Sequence, residues 1–126
     1  MNRVSFEIEF IFKASPAMLY NFLTSPEGLV RWFCDAVDIN NDIYHFYWDG
    51  SKESAELIDD IEEERLKFHW LDADEPGEFF EFVMYKSPIT NETILKIIDF
   101  CDDDEIADQR ELWSSQIVEL QKAIGG

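Results

Sequence analysis

The sequence contains few cysteines and few basic residues, and each shortage excludes a class of protein. Two cysteines, Cys34 and Cys101, provide neither a disulfide framework nor the ligand spacing of a zinc site. Only ten lysines and arginines accompany 28 aspartates and glutamates, so the formal charge is −18. Because binding to nucleic acids and to anionic membrane surfaces relies on basic residues, we expect no nucleic-acid partner and no membrane insertion.

Long apolar runs are also missing. No stretch approaches the roughly 20 apolar residues that span a bilayer. The first ten residues carry Glu7 and Glu9 within their apolar stretch and contain no small-residue cleavage site, so the sequence predicts no signal peptide. Two thiols without an export signal are typical of a reducing compartment, and we expect a cytoplasmic protein.

The chain does contain enough apolar material for one core. Its 126 residues, 46% of them hydrophobic, predict a single domain over residues 1–126 that needs no metal or disulfide staple. Residues 4–12 alternate with period two, which predicts a half-buried strand. Ser-Pro pairs beginning at Ser15 and Ser25 combine an N-cap with proline at the first helical position, so two short helices should follow. The second helix should extend as far as Phe33.

The middle of the chain predicts an antiparallel meander. Asp49-Gly50 is a strong hairpin signal because glycine adopts the positive φ that such turns require. Pro76-Gly77 marks a further turn. Short connections between consecutive strands favour antiparallel pairing. The five strands predicted here cover residues 42–48, 55–61, 65–70, 79–85 and 93–100.

The C-terminal segment changes to a helical period and predicts a helix of about 20 residues over residues 104–124. The predicted fold class is therefore α+β: a curved six-stranded antiparallel sheet around a long C-terminal helix, with two short helices after the first strand. The apolar stripe of the long helix consists of Ile106, Trp113, Ile117, Leu120 and Ile124.

Several segments of the chain resemble one known family. They are the helix pair of residues 14–33 with its closing tryptophan, ERLKFHW at residues 64–70, TILKI at residues 93–97, and Trp113 in the terminal helix. In this order they resemble the helix-grip fold of the START-like (SRPBCC) superfamily. The closer resemblance is to its branch related to activators of the heat-shock-protein-90 ATPase, and it covers nearly the whole chain. Residues 41–43 stand where that branch usually has a pair of glycines.

The resemblance implies a cavity between the sheet and the terminal helix. Members of the superfamily bind lipids, hormones or polyketides there, a few are cyclases, and others regulate chaperones. Aromatic residues make up 15% of the chain, so we predict a non-catalytic module that holds a small apolar or aromatic, lipid-like ligand. The alternative is a solid aromatic core without a cavity. The candidate cavity residues are Trp32, Phe46, Trp48, Phe68, Trp70, Phe82, Met84, Trp113 and Ile117.

The sequence predicts no catalytic residues, metal or cofactor. By strand alternation, His45 and His69 lie on the face opposite the tryptophans, and the sequence contains no phosphate loop, nucleophile elbow or zinc-protease motif. Acidic runs within residues 59–64, 72–75 and 102–105 do not fit the twelve-residue calcium loop.

Two other functions stay open at this level. The acidic exterior is suited to a basic surface on a chaperone or another protein, which would make the chain a protein-interaction module. Such binding weakens sharply with salt, whereas pocket binding hardly responds to it. A cyclase-like enzyme would instead require an ionisable group inside the cavity.

Overall fold

The computed structural model describes residues 2–72 and 77–125. Part of the predicted acidic run at residues 72–75, and Pro76 of the predicted turn, lie outside the described residues. The elements in chain order are β1 (Arg3–Phe12), α1 (Pro16–Thr24), α2 (Pro26–Leu29), β2 (Ala36–Asn40), β3 (Ile43–Trp48), β4 (Ser51–Ile61), β5 (Arg65–Trp70), β6 (Phe80–Lys86), β7 (Thr93–Asp102) and α3 (Ile106–Ile124).

The sheet has seven strands in the described residues, in the order β1-β7-β6-β5-β4-β3-β2, and every neighbouring pair is antiparallel. The prediction of six strands was therefore wrong, because it omitted β2. This strand lies at the edge of the sheet and pairs only with β3. Its apolar alternation is limited to the half-buried Val37 and Ile39, and Ala36, Asp38 and Asn40 are weak strand formers.

Both Ser-Pro signals are confirmed as helix starts. The Ser15 hydroxyl accepts a hydrogen bond from the Met18 amide at 3.2 Å, and the Ser25 hydroxyl accepts one from the Gly28 amide at 3.0 Å. These bonds satisfy amides that have no partner within the helix.

The second helix is shorter than predicted, since α2 ends at Leu29 instead of extending to Phe33. The Leu29 carbonyl accepts the amides of Phe33 at 2.8 Å and Cys34 at 3.2 Å, which closes the chain into a turn. The next amide, from Asp35, already donates to the Tyr47 carbonyl at 2.9 Å. The early start of β2 therefore leaves no room for a longer helix.

The long helix packs on one face of the sheet. Its buried residues Trp113, Ile117 and Leu120 belong to the predicted stripe and join the core formed by the inner face of the strands. Inward residues of the sheet, such as Phe68 and Leu95, are almost fully buried, as the alternation predicted.

Several turns of the sheet use left-handed backbone, and two of them bear on the sequence analysis. Asp49 and Gly50 have φ of +49° and +85°, which confirms the hairpin predicted between β3 and β4. Asn41 begins the segment 41–43, where the resembled branch usually has a pair of glycines, and it has φ of +56° between β2 and β3. Asparagine tolerates this region better than most residues, so the turn forms without glycine.

Gly28 allows α1 and α2 to pack closely, and this packing predicts an effect of substitution on stability. A Cβ atom at Gly28 would lie 2.6 Å from the Cα of Phe22, which is backbone that cannot move aside cheaply. We expect Gly28→Ala to lower the free energy of unfolding by about 2 kcal/mol or more. Gly77→Ala is the matched control, since a Cβ there meets no atom of the described residues within 4 Å. Urea unfolding of both variants tests this, and equal midpoints would contradict the packing described.

Candidate functional site

A cleft of about 480 Å³ lies beside the first half of α3. The cleft walls combine the helix with the ends of several strands and with the segment that follows α2. The lining residues are Arg3, Phe33, Trp48, Glu53, Trp70, Glu78, Phe79, Asp99, Phe100, Cys101, Glu105, Gln109, Leu112, Trp113 and Gln116.

Three tryptophans and one phenylalanine form an aromatic wall in the cleft. Trp48 and Trp70 end strands β3 and β5, and their ring centroids are 6.4 Å apart. Phe33 meets Trp48 edge-to-face at 5.3 Å and stacks on Trp113 at 6.2 Å. The indole N–H of Trp48 donates to the Phe33 carbonyl and so ties the segment after α2 to the sheet. The wall is thus assembled from the sheet, the helix α3 and the segment between α2 and β2.

Asp99 is the carboxylate that is hydrogen-bonded to a ring of this wall. It accepts a hydrogen bond from the indole N–H of Trp113 at 2.9 Å and another from the Phe100 amide at 2.8 Å. Burial raises the pKa of Asp99 above its ordinary value, and the two hydrogen bonds and the nearby Arg3 only partly offset that effect. Asp99 is therefore a partly desolvated carboxylate held in a fixed orientation.

Arg3 lines the same cleft, but its guanidinium is already paired. It contacts the Glu78 carboxylate at 2.6 and 2.9 Å and the Asp102 carboxylate at 3.2 Å. The hydrogen bonds from Arg3 lower the pKa of Glu78, and both carboxylates raise the pKa of Arg3. The pairing joins the start of β1 to the end of β7 and to the segment before β6.

The sheet, the long terminal helix and the cleft beside it form a helix-grip arrangement, and the comparison with known families gives a matching result. The family model described as a START-like superfamily domain matches residues 1–126. The chain belongs to the START-like superfamily. No curated protein sequence matches this START-like chain.

Three solved structures illustrate the likeness. A Bacteroides fragilis protein studied by solution NMR is 28% identical over 98% of this chain and 92% of its own, with a TM-score of 0.70. The Aha1 dimer from Colwellia psychrerythraea is 18% identical over 96% of each chain, with a TM-score of 0.82. DynU16, from the dynemicin biosynthetic locus, is 15% identical over 96% of this chain and 47% of its own, with a TM-score of 0.77. The last two likenesses concern the fold alone.

The predicted cavity residues of the START-like chain fall into two groups. Trp48, Trp70 and Trp113 line the cleft together. The remaining six are buried in the aromatic core and do not line it. These six are Trp32, Phe46, Phe68, Phe82, Met84 and Ile117, none more than 6% exposed. The chain therefore has both a solid core and a cleft at one end of that core.

Several cleft residues were not among the predicted ones. Glu53 shares the inward alternation of the buried Ala55 on β4, so strand parity was a signal that could have found it. Phe33 reaches the cleft only because α2 ends early, and the local sequence does not indicate this. Asp99 lies on the same face of β7 as the buried Ile97, next to the charged end of the strand.

The two histidines do not line the cleft. The Nδ1 atom of His45 is 2.6 Å from the Ser54 hydroxyl, and Nδ1 of His69 donates to the Glu78 carbonyl at 2.9 Å. Both residues alternate with buried inner-face residues, so they lie on the outer face of the sheet, as predicted.

Carboxylates cluster at the start of α3. Oxygen atoms of Asp102, Asp104 and Glu105 lie within 4.8 Å of one another, and Arg3 binds one of these residues, Asp102.

Within residues 2–72 and 77–125, every helix is too short or too polar to cross a bilayer.

The raised pKa of Asp99 predicts a specific pH dependence of stability. A carboxyl whose pKa is higher in the folded state stabilises the fold most below its unfolded pKa of about 4. That contribution is lost as the pH rises through the raised folded value. Asp99→Asn removes the titration, so the stability of the native chain relative to this variant should fall as the pH rises from 4. Urea unfolding of both proteins at several pH values measures the difference, and a difference that grows with pH would contradict the assignment.

Proposed function

We propose that the chain acts as one START-like binding module that holds a small apolar or aromatic molecule in the cleft. The observation that carries this proposal is the aromatic wall of Phe33, Trp48, Trp70 and Trp113 around a volume of about 480 Å³. Ligand sites for small organic molecules usually have volumes of about 300–1,000 Å³ and are mainly apolar. A superfamily of ligand-binding modules provides the setting for the proposal.

Burial of apolar surface would supply most of the affinity. Each 200 Å² of apolar surface removed from water contributes about 5 kcal/mol, from which the loss of translational and rotational freedom is subtracted. Two of the indole N–H groups in the wall, those of Trp48 and Trp113, already donate to protein acceptors. Phe33 and Trp113 are each only 6% exposed, so the half-buried Trp48 and Trp70 offer most of the ring surface to a ligand. Such surfaces favour flat or ring-containing molecules.

The arrangement of the cleft supports binding without catalysis. A general base or nucleophile must reach the substrate, yet neither His45 nor His69 lines the cleft. Glu53, Asp99 and Glu105 do line it, but both Asp99 oxygens accept hydrogen bonds from the protein. Glu53 and Glu105 are exposed to solvent.

A basic protein partner is the second candidate. The formal charge of −18 and the three clustered carboxylates of Asp102, Asp104 and Glu105 favour it. Because Asp104 and Glu105 are exposed to solvent, an interaction through them would weaken strongly between low and high salt, whereas ligand binding in the aromatic cleft would not.

The proposal is tested by truncating one ring of the wall. We expect Trp70→Ala to weaken binding of the neutral probe 2-naphthylmethanol at least tenfold, because the probe loses one of its stacking surfaces. Trp32→Phe is the matched control, since Trp32 lies in the core and its indole N–H donates to the Phe22 carbonyl. Isothermal titration calorimetry measures both dissociation constants, and circular dichroism checks that the variants are folded. Unchanged affinity in Trp70→Ala would refute the proposed site.

A further inference from the structure

We infer that the molecule held in the cleft is an organic cation, an apolar or aromatic body carrying an amine that is protonated at neutral pH. This inference rests on the proposed function and adds the charge of the ligand to it. Among the described residues, four carboxylates and one guanidinium line the cleft around the aromatic wall, and this excess of negative charge favours a positively charged ligand.

Glu53 is the carboxylate best placed among the rings. On the inner face of the sheet it lies opposite Phe46, while the neighbouring register pairs join Trp48 with Ser51 and Trp70 with Ala55. Glu53 therefore lies diagonally between the two tryptophans that end β3 and β5. Its side chain is exposed toward the cleft, so its charge remains available to a ligand.

Three of the cleft carboxylates lack a cation of their own. Within residues 2–72 and 77–125, no lysine, arginine or histidine nitrogen lies within 4.0 Å of the carboxylates of Glu53, Asp99 or Glu105. Glu78 differs, because the guanidinium of Arg3 holds it at 2.6 Å. Arg3 is also bonded to Asp102, so the basic residue in the described lining of the cleft cannot serve as a free anion receptor.

The rings strengthen the preference for a cation. The faces of tryptophan carry negative potential and attract ammonium groups within about 6 Å of the ring centre. Asp99 accepts the indole N–H of Trp113, and this hydrogen bond polarises the ring so that its face becomes more negative. Carboxylates and ring faces thus act in the same direction, and the low-dielectric walls concentrate their field in the cleft.

Three probes of one shape separate this inference from the proposed function. They are 2-naphthylmethylammonium, 2-naphthylmethanol and 2-naphthoate, which are cationic, neutral and anionic near pH 7. We expect the cation to bind at least tenfold more tightly than the alcohol, and the carboxylate to bind more weakly than either. Equal or tighter binding of the alcohol would overturn the cation preference and leave the proposed function standing. Failure of all three to bind would refute both.

A trilysine peptide tests whether charge alone explains the result. It carries ammonium groups without an aromatic body, so it should bind at least tenfold more weakly than 2-naphthylmethylammonium. Comparable binding of the peptide would overturn the inference in favour of a basic protein segment on the acidic surface.

Charge-neutralising variants locate the effect. Glu53→Gln should reduce the ratio of cation to alcohol affinity at least threefold, and Asp99→Asn should act in the same direction. Glu56→Gln is the matched control: it makes the same change of net charge on the same strand, but Glu56 does not line the cleft. Its ratio should stay within twofold of the unmodified chain. An equal loss in Glu53→Gln and Glu56→Gln would overturn the assignment of the cation to the cleft, because the effect would then follow the total charge.

Discussion

The packing of Trp113 is the contact on which the arrangement of the molecule depends. From the helix α3, this one side chain stacks on Phe33 at 6.2 Å and meets Phe82 of the sheet edge-to-face at 5.9 Å. Its indole N–H donates to Asp99 at 2.9 Å. Trp113 thereby connects the helix, the sheet and the segment after α2. Because a buried aromatic ring contributes more than any other side-chain type to such contacts, its position fixes how close the helix approaches the strands.

The same packing creates the cleft. Farther along α3, Ile117 and Leu120 are almost fully buried against the inner face. Before Trp113, the helix presents Gln109 and the half-exposed Leu112, which do not fill the gap above the ends of β3 and β5. The core is therefore closed toward the C-terminal end of the helix and open toward its N-terminal end. Trp113 therefore contributes both to the core, which stabilises the fold, and to the lining of the cleft.

Most of the fold followed from local signals in the sequence. Period-two alternation identified six strands, the Ser-Pro pairs identified both short helices, and the apolar stripe identified α3, because each signal expresses a requirement of the element itself. The edge strand β2 was not found. Only Val37 and Ile39 alternate as apolar residues there, and the segment adopts a strand conformation mainly because it pairs with β3, which is a tertiary effect.

The site was less accessible to such reasoning. Alternation placed Phe46, Trp48, Phe68 and Trp70 on one face correctly, but it does not tell which of them the helix covers. That division depends on where α3 crosses the strands and on the early end of α2, which brings Phe33 into the wall. The charges of the cleft were missed for a different reason: Glu53 and Asp99 were two acids among 28, and only the packing separates them from the solvated ones.

The central claim, a ligand cleft beside α3 that is separate from the aromatic core, can be observed directly by NMR. The four tryptophans give four indole N–H signals, three from cleft residues and one from Trp32 in the core. On addition of 2-naphthylmethylammonium to the labelled protein, the signals of Trp48, Trp70 and Trp113 should shift together with one dissociation constant, while that of Trp32 stays in place. Shifts confined to Trp32, or to none of the four while the probe still binds, would contradict the account.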